Sequence, residues 1–345
     1  MEFAKLDKLK RGDKVAIVSP SFAAPAAWPL VYELGLARLR DIFGLVPVEF
    51  PATKKADATV EEKAADLIAA FSDPEIKAVI STLGGDIQVA YIKNLPAAPF
   101  KNNPKPFFGF SDNTNFMNFL WLNGIPSYYG GSIFTQLAKN GKMDEFTVEY
   151  LNKAYFEEGE FEIFASNVYN DIGLDWTDPE NLKKFRQYEP NEGWHWDGEK
   201  NAEGTTWGGC LETIDELLRH GIKLPELVEF ENVILLLETC EEISSANYVS
   251  RVCRALGERG ILARVKGLLV GRPKAWEFGK EKNAEEKAKY KKEQRETVLR
   301  IFREYNKTSP VVQNLDFGHT DPQIPFPYGR KARISSSNKK IFVNF

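Results

Sequence analysis

Three histidines (His195, His220, His319) and three cysteines (Cys210, Cys240, Cys253) are all that this 345-residue sequence offers for imidazole or thiol chemistry. Any histidine base or metal ligand is therefore one of three residues. His220 closes a helical stretch before Gly221, where a histidine commonly complements the helix dipole. His195 lies between Trp194 and Trp196 on an irregular segment. His319, in Gly318-His319-Thr320-Asp321-Pro322, follows an apolar run and precedes a loop stiffened by Pro322, Pro325 and Pro327. It is the best placed of the three as a general base. No two histidines share a short spacing and no CxxC pair occurs, so neither a metal site nor a disulfide framework is expected. The cysteines read as small buried hydrophobes.

A nucleophile for that base is offered by Gly109-Phe110-Ser111-Asp112-Asn113-Thr114. A strand ends there, a serine sits on the turn, and an apolar helix (NFMNFLWLNG) begins. That is the setting of a nucleophile elbow, which exposes the hydroxyl at a sheet edge and aims a helix N-terminus at developing negative charge. Asn113 stands where the second glycine of GxSxG belongs, and the plainer alternative is that Ser111 or Asp112 caps the helix. Gly84-Gly85-Asp86 ends another strand. Paired glycines let a backbone approach a ligand and turn its N–H groups inward, or they make a tight turn. Glu238 closes the apolar run VILLL; it either orients a histidine or opens an acidic helix start with Glu241 and Glu242. No GxGxxG or GxxxxGK[ST] occurs, so a nucleotide cofactor has little support in the sequence. Together the motifs supply nucleophile, carboxylate and base in the order Ser, Glu, His, each at a strand end.

The elements that must position them alternate. Lys14–Ser19, Val46–Phe50, Lys77–Thr82 and Phe107–Phe110 read as strands, with helices over residues 28–43 and 59–71, the second opened by a capping-box pattern from Thr59. Strand, helix, strand implies parallel strands with helical crossovers, and ligands bind such sheets at the C-terminal strand ends. After residue 208 a helix, the strand Val233–Leu237, a helix over 247–259, the strand Lys266–Val270 and the segment Val311–Phe317 make a second α/β unit. The expected fold class is therefore α/β. The domains are residues 1–165 with Ser111, a connecting segment 166–207 rich in Trp, Asp and Gly, and 208–345 with Glu238 and His319. At about 150 residues per domain the length suits two. Residues 280–296 read as a solvated charged helix.

Lys plus Arg number 45 and Asp plus Glu 49, a net charge of −4 that argues against a dedicated nucleic-acid or membrane-surface protein. The longest aliphatic run, Val233–Leu237, is far too short to span a bilayer. The N-terminal MEFAKLDKLKRGDK lacks the apolar run of a signal peptide. The reducing cytoplasm is the expected compartment.

These residues resemble a known family. GFSDNT, the strand ending LLLE and FGHTDPQIPFPYG look like the signature blocks of the LD-carboxypeptidase family of serine peptidases, and TLGGD and WGGCLETI fit its pattern. The resemblance covers nearly the whole chain. NEGWHW in the middle segment and the extended GHTDPQ loop look more like the microcin-C-immunity branch than the muropeptide branch. What the resemblance implies is a flavodoxin-like parallel-sheet domain, a C-terminal α/β domain, and an active site where they meet. Ser111 would be the nucleophile, His319 the base, Glu238 its orienting partner, and the backbone N–H groups of Gly85 and Asp112 the oxyanion hole. A homodimer without metal or organic cofactor is implied. So is a small peptide or peptidyl-nucleotide substrate, cleaved at the amide link to a toxic aminoacyl-nucleotide analogue. The alternatives are release of a terminal D-amino acid from muropeptides, and a non-catalytic ligand-binding homologue. Trp176, Trp194 and Cys210 are expected on the substrate side. Cys210 stands where relatives often carry Asn, and TCEEISS after Glu238 lacks a nearby Lys; both departures fall on that side.

Overall fold

A computed structural model describes all residues, Met1–Phe345. Its first sheet is built from β1 (Lys14–Val18), β2 (Val46–Glu49), β3 (Ile76–Ser81), β4 (Phe107–Gly109) and β5 (Ser127–Tyr129), all parallel, in the order β5-β4-β3-β1-β2. The helices Pro29–Asp41, Val60–Ser72 and Thr114–Leu122 make crossovers between these strands. Thr59 and Glu62 form the reciprocal cap expected: Glu62 N–H donates to Thr59 Oγ1 at 3.3 Å, and Thr59 N–H to Glu62 Oε2 at 2.9 Å.

The second sheet begins earlier than the residue pattern suggests. β6 (Glu160–Ile163) already pairs into it. A short ribbon follows, β7 (Val168–Tyr169) with β8 (Glu189–Pro190), and then β9 (His195–Asp197) and β10 (Ala202–Cys210). β10 takes in Trp207, Gly208 and Gly209, and its helix starts only at Leu211. β11 (Val233–Glu238), β12 (Gly267–Gly271) and β13 (Val311–Leu315) continue a parallel centre β10-β11-β12-β13. Antiparallel wings flank it: β15 (Lys331–Ser335), β16 (Lys340–Asn344) and β6 on one side, β9 on the other. β14 (Phe326–Tyr328) instead returns to the first sheet and pairs antiparallel with β5. Parallel centre strands are covered on both faces, which is why VILLLE is buried along its whole length.

Two sheets do not mean two separate cores. One cluster of 77 buried apolar residues runs through both, so the halves pack against each other. Trp121 Nε1 donates to Thr206 O and Trp207 Nε1 to Asn118 Oδ1, each at 3.2 Å, riveting Thr114–Leu122 to β10. The charged helix extends over Ala284–Tyr305 and is not wholly solvated. Its face of Tyr290, Val298, Ile301 and Phe302 is buried, and buried Lys287 pairs with Asp171 at 2.6 Å. No helix is long and apolar enough to cross a membrane.

Candidate active site

Ser111 follows β4 and opens a tight turn, Ser111–Asn113, that leads into Thr114–Leu122. Its φ is +62°, in the left-handed region, which costs an ordinary L-residue about 1–2 kcal/mol. The neighbours over-determine that conformation. Ser111 N–H donates to Tyr129 Oη at 3.2 Å. Asn113 Nδ2 donates to Phe110 O at 2.9 Å and Leu83 O at 3.2 Å, and its Oδ1 accepts from Gln88 Nε2 at 2.9 Å. So the residue that breaks GxSxG ties the two strand-end loops together. The buried Asp112 carboxylate accepts from Ser21 Oγ at 2.5 Å, Asn115 Nδ2 at 2.8 Å and the Ile87 and Gln88 N–H groups at 3.2 Å. Burial pushes its carboxyl up against the pull of those donors. Neither Ser111 nor Asp112 caps the helix.

The glycine pair passes directly beside the serine. A Cβ on Gly84 would lie 3.0 Å from Ser111 Oγ. Gly85, at φ +147°, has no room for one either: it would meet Ser21 Oγ at 2.3 Å and Phe22 N at 2.9 Å. The N–H groups of Gly85 and Asp112 hydrogen-bond to no group of the protein, which leaves both free to hold an oxyanion. Gly85→Ala is therefore expected to displace one donor and lower kcat about 100-fold with little change in KM. Steady-state kinetics beside a thermal melt separate this from simple unfolding.

Glu238 ends β11 with its side chain fully buried. Its Oε2 accepts from His319 Nδ1 at 2.7 Å and its Oε1 from Tyr129 Oη at 2.5 Å. Gly318 permits the approach. At φ +99°, a Cβ there would stand 2.4 Å from Glu238 Oε2. Tyr129, from β5, thus joins the serine's backbone to the carboxylate across the two sheets; burial pushes its phenol well up, so it stays a donor. Sequence reasoning missed it. The available signal was its place at a strand end just before Gly130-Gly131. His319 Nε2 lies 3.2 Å from Glu241 Oε2, and the Phe110 ring covers the imidazole at 4.8 Å between centroids. Burial alone would lower the His319 pKa, but the charges and hydrogen bonds of Glu238 and Glu241 outweigh it and raise it well above the ordinary value.

Ser111, Gly85 and His319 face one cavity of about 480 Å³. Trp176 is on its wall too, edge-on to Trp28 at 5.0 Å and Phe134 at 5.4 Å, and Phe22 and Phe278 add further apolar surface. The middle segment is therefore a wall of the site as well as a connection. It is pinned by Arg186 Nη1 donating to Asp321 Oδ2 at 2.8 Å and by paired backbone bonds between Asn170 and Asp321, whose carboxylate is also held by buried Lys139 at 2.5 Å. Trp194 and Cys210 are not on the wall. Trp194 turns its N–H inward to Asp316 Oδ2 at 3.1 Å, beside the buried Arg272–Asp316 pair. Cys210 pairs in register with Glu238 and lies behind it, donating to Glu212 Oε2 at 3.3 Å. The remaining histidines have local partners: His195 meets Glu192 at 2.9 Å, and His220 the Glu216 carbonyl at 3.0 Å.

Cys210, Glu212 and Cys240 bring three potential metal ligands within 4.8 Å of one another. Glu212 is already satisfied there by Ser244 Oγ at 2.6 Å and Cys240 N–H at 3.2 Å, and burial pushes both its carboxyl and the Cys210 thiol up.

Known proteins match this architecture end to end. Residues 15–130 match the LD-carboxypeptidase N-terminal domain and residues 203–334 the LD-carboxypeptidase C-terminal domain. The putative carboxypeptidase YocD of Bacillus subtilis is 29% identical over 344 residues, covering 98% of each chain. The microcin C7 self-immunity protein MccF of Escherichia coli is 22% identical over 288 residues, 83% of this chain and 78% of that one. The crystal structure of an MccF-like protein from Streptococcus pneumoniae in complex with AMP superposes with a TM-score of 0.82 at 28% identity, covering 96% of this chain and 98% of that one. With both of its domains matched in order, around a serine, a glutamate and a histidine at strand ends, this chain belongs to the LD-carboxypeptidase family of serine peptidases.

Proposed function

We propose that this protein is a serine hydrolase of the immunity-like branch, cleaving the amide link between an aminoacyl or peptidyl group and a nucleotide-like leaving group. One observation carries the reading: a strained serine and a carboxylate-held histidine face a single cavity with an aromatic wall. His319 Nε2 takes the Ser111 proton as Oγ attacks the carbonyl. The N–H groups of Gly85 and Asp112 hold the tetrahedral oxyanion, each contributing about 3 kcal/mol. His319 returns the proton to the leaving nitrogen, and water then releases the acyl group by the same route. Glu238 keeps the imidazole in the tautomer with Nδ1 protonated. On the same reading the enzyme works in the cytoplasm as a homodimer, without metal or organic cofactor.

The aromatic wall is what favours a nucleotide over a muropeptide, since Trp176 and Trp28 line the cavity and aromatic rings can stack a planar base. Among the relatives, the Streptococcus pneumoniae structure is a complex with AMP. A terminal carboxylate, by contrast, needs a free cation, and both wall cations are committed: Arg186 to Asp321 and Lys274 to Glu277. The test is incubation with aspartyl sulfamoyl adenosine and with a tetrapeptide muropeptide ending in a D-amino acid, products being followed by mass spectrometry. Cleavage of the adenosine compound is the expected result; cleavage of the muropeptide alone supports the carboxypeptidase alternative, and cleavage of neither supports the non-catalytic one. Trp176→Ala is expected to raise KM for the adenosine compound about tenfold, the loss of one stacked base, with kcat little changed. An equal effect on a compound lacking the base would remove the stacking role.

A further inference from the structure

The atom that must accept the serine proton is already occupied. His319 Nε2 stands 3.2 Å from Glu241 Oε2 in ion-pair contact while Nδ1 donates to Glu238, so both ring nitrogens face carboxylates, an arrangement that favours the imidazolium, whose Nε2 has no lone pair to offer. Glu241 is also unlike the other acids of the cavity wall. Asp321 is held by Arg186 and Lys139, Glu277 by Lys274, Asp171 by Lys287, and Asp175 accepts from Thr177. Glu241 has His319 as its partner, and its side chain is 52% exposed towards the cavity. Partial desolvation in the cavity would raise its carboxyl, but its pairing with His319 pulls it down to about 2, so it is an anion. An anion at the mouth of a catalytic cavity, paired only with the group that must lose its charge, calls for a replacement cation.

We infer that Glu241 is the receptor for an ammonium group of the substrate, and that it clamps His319 until that group arrives. The inference rests on the serine-hydrolase reading above and adds the substrate class: aminoacyl compounds whose α-amine is unblocked. The geometry fits. An α-nitrogen lies about 2.5 Å from its own carbonyl carbon. A carbonyl at Ser111 Oγ therefore carries its ammonium into the neighbourhood of His319 Nε2, where Glu241 stands. The ammonium takes over Glu241, the imidazolium loses its partner and releases the Nε2 proton to water in the open cavity, and the neutral ring becomes the base. Charge balances, since one cation replaces another beside the same carboxylate. The other charge facing the ring, Glu238 from β11, is unchanged by the exchange, as is Lys274, whose charge acts on Glu241.

The experiment compares aspartyl sulfamoyl adenosine with its N-acetyl derivative in wild type and Glu241→Gln. Wild type should prefer the free amine about tenfold in kcat/KM, the worth of one charged hydrogen bond. Glu241→Gln should lose that preference, cleave the acetylated compound faster than wild type does, and move the acid limb of the pH profile to lower pH. The same preference in both proteins, or an unmoved limb, overturns the inference. If neither compound is cleaved by either protein, the hydrolase reading has failed, and the clamp is read without it by NMR titration of the His319 ring. The titration should fall in Glu241→Gln, and in wild type on adding the free-amine compound but not the acetylated one. An unchanged titration overturns the clamp.

Discussion

Ser111→Ala is expected to reduce kcat by about 10⁵-fold or more while leaving the fold intact. The loss is large because the serine is the only group here whose oxygen both faces the cavity and stands beside the Gly84-Gly85 backbone that would receive the oxyanion. A residual rate over water should survive, since the Gly85 and Asp112 N–H groups and the binding surface remain. The backbone makes a companion variant informative. Ser111 holds φ +62°, which glycine adopts freely. Ser111→Gly relieves about 1–2 kcal/mol of steric cost and adds about 0.5–1 kcal/mol of unfolded-state entropy. The inactive glycine variant should therefore melt no lower than wild type. A lower melting temperature would mean that the hydroxyl is part of the packing, and that the strain is not held for function.

The features legible in the sequence were local ones. Apolar runs such as VILLL, the Thr59 cap and the strand–turn–helix around Ser111 are each settled within a dozen residues, and so the parallel strands and the ends that carry Ser111, Glu238 and His319 were readable. What stayed hidden depends on distant pairing. β14 joins a strand 199 residues earlier in register, Pro327 opposite Tyr128, and no local pattern announces that a segment from the C-terminal end belongs to the first sheet. Tyr129 finds Glu238 across a separation of 109 residues. Trp176 and Trp194 lie in equally irregular stretches, yet one faces the cavity and the other turns to Asp316; only the Arg186–Asp321 tether and the ribbon of β7 and β8 decide which. Glu241 sits among acidic neighbours in TCEEISS, and its charge acquires meaning only when the His319 loop folds over it.

Glu238→Gln should cost about 10⁴-fold in kcat, and the reason lies in counting donors. The buried carboxylate accepts twice, from His319 Nδ1–H and from Tyr129 Oη–H. A glutamine offers one oxygen and one NH₂ in the same space. If the oxygen faces His319, the NH₂ meets a phenol that is already donating along that line and accepting from Ser111 N–H, so the elbow loses its anchor. If the NH₂ faces His319, Nδ1 must accept, the ring proton moves to Nε2, and the base has the wrong tautomer; in serine hydrolases that substitution costs about 10⁴-fold. Either orientation disarms the site without emptying it. The pH dependence distinguishes this from a packing defect. The Glu238 charge helps hold the His319 pKa above its ordinary value, so its removal must move the acid limb of kcat/KM to lower pH even as the plateau falls. Stability follows the same sign. A histidine whose folded pKa is raised adds stability that is fully present below its unfolded value and is lost as pH rises through the folded one. In wild type, stability should therefore decline with rising pH across that window, and in Glu238→Gln the decline should shrink. Chemical denaturation at several pH values reads it directly, and a slope equal to wild type would mean that Glu238 does not hold the imidazolium.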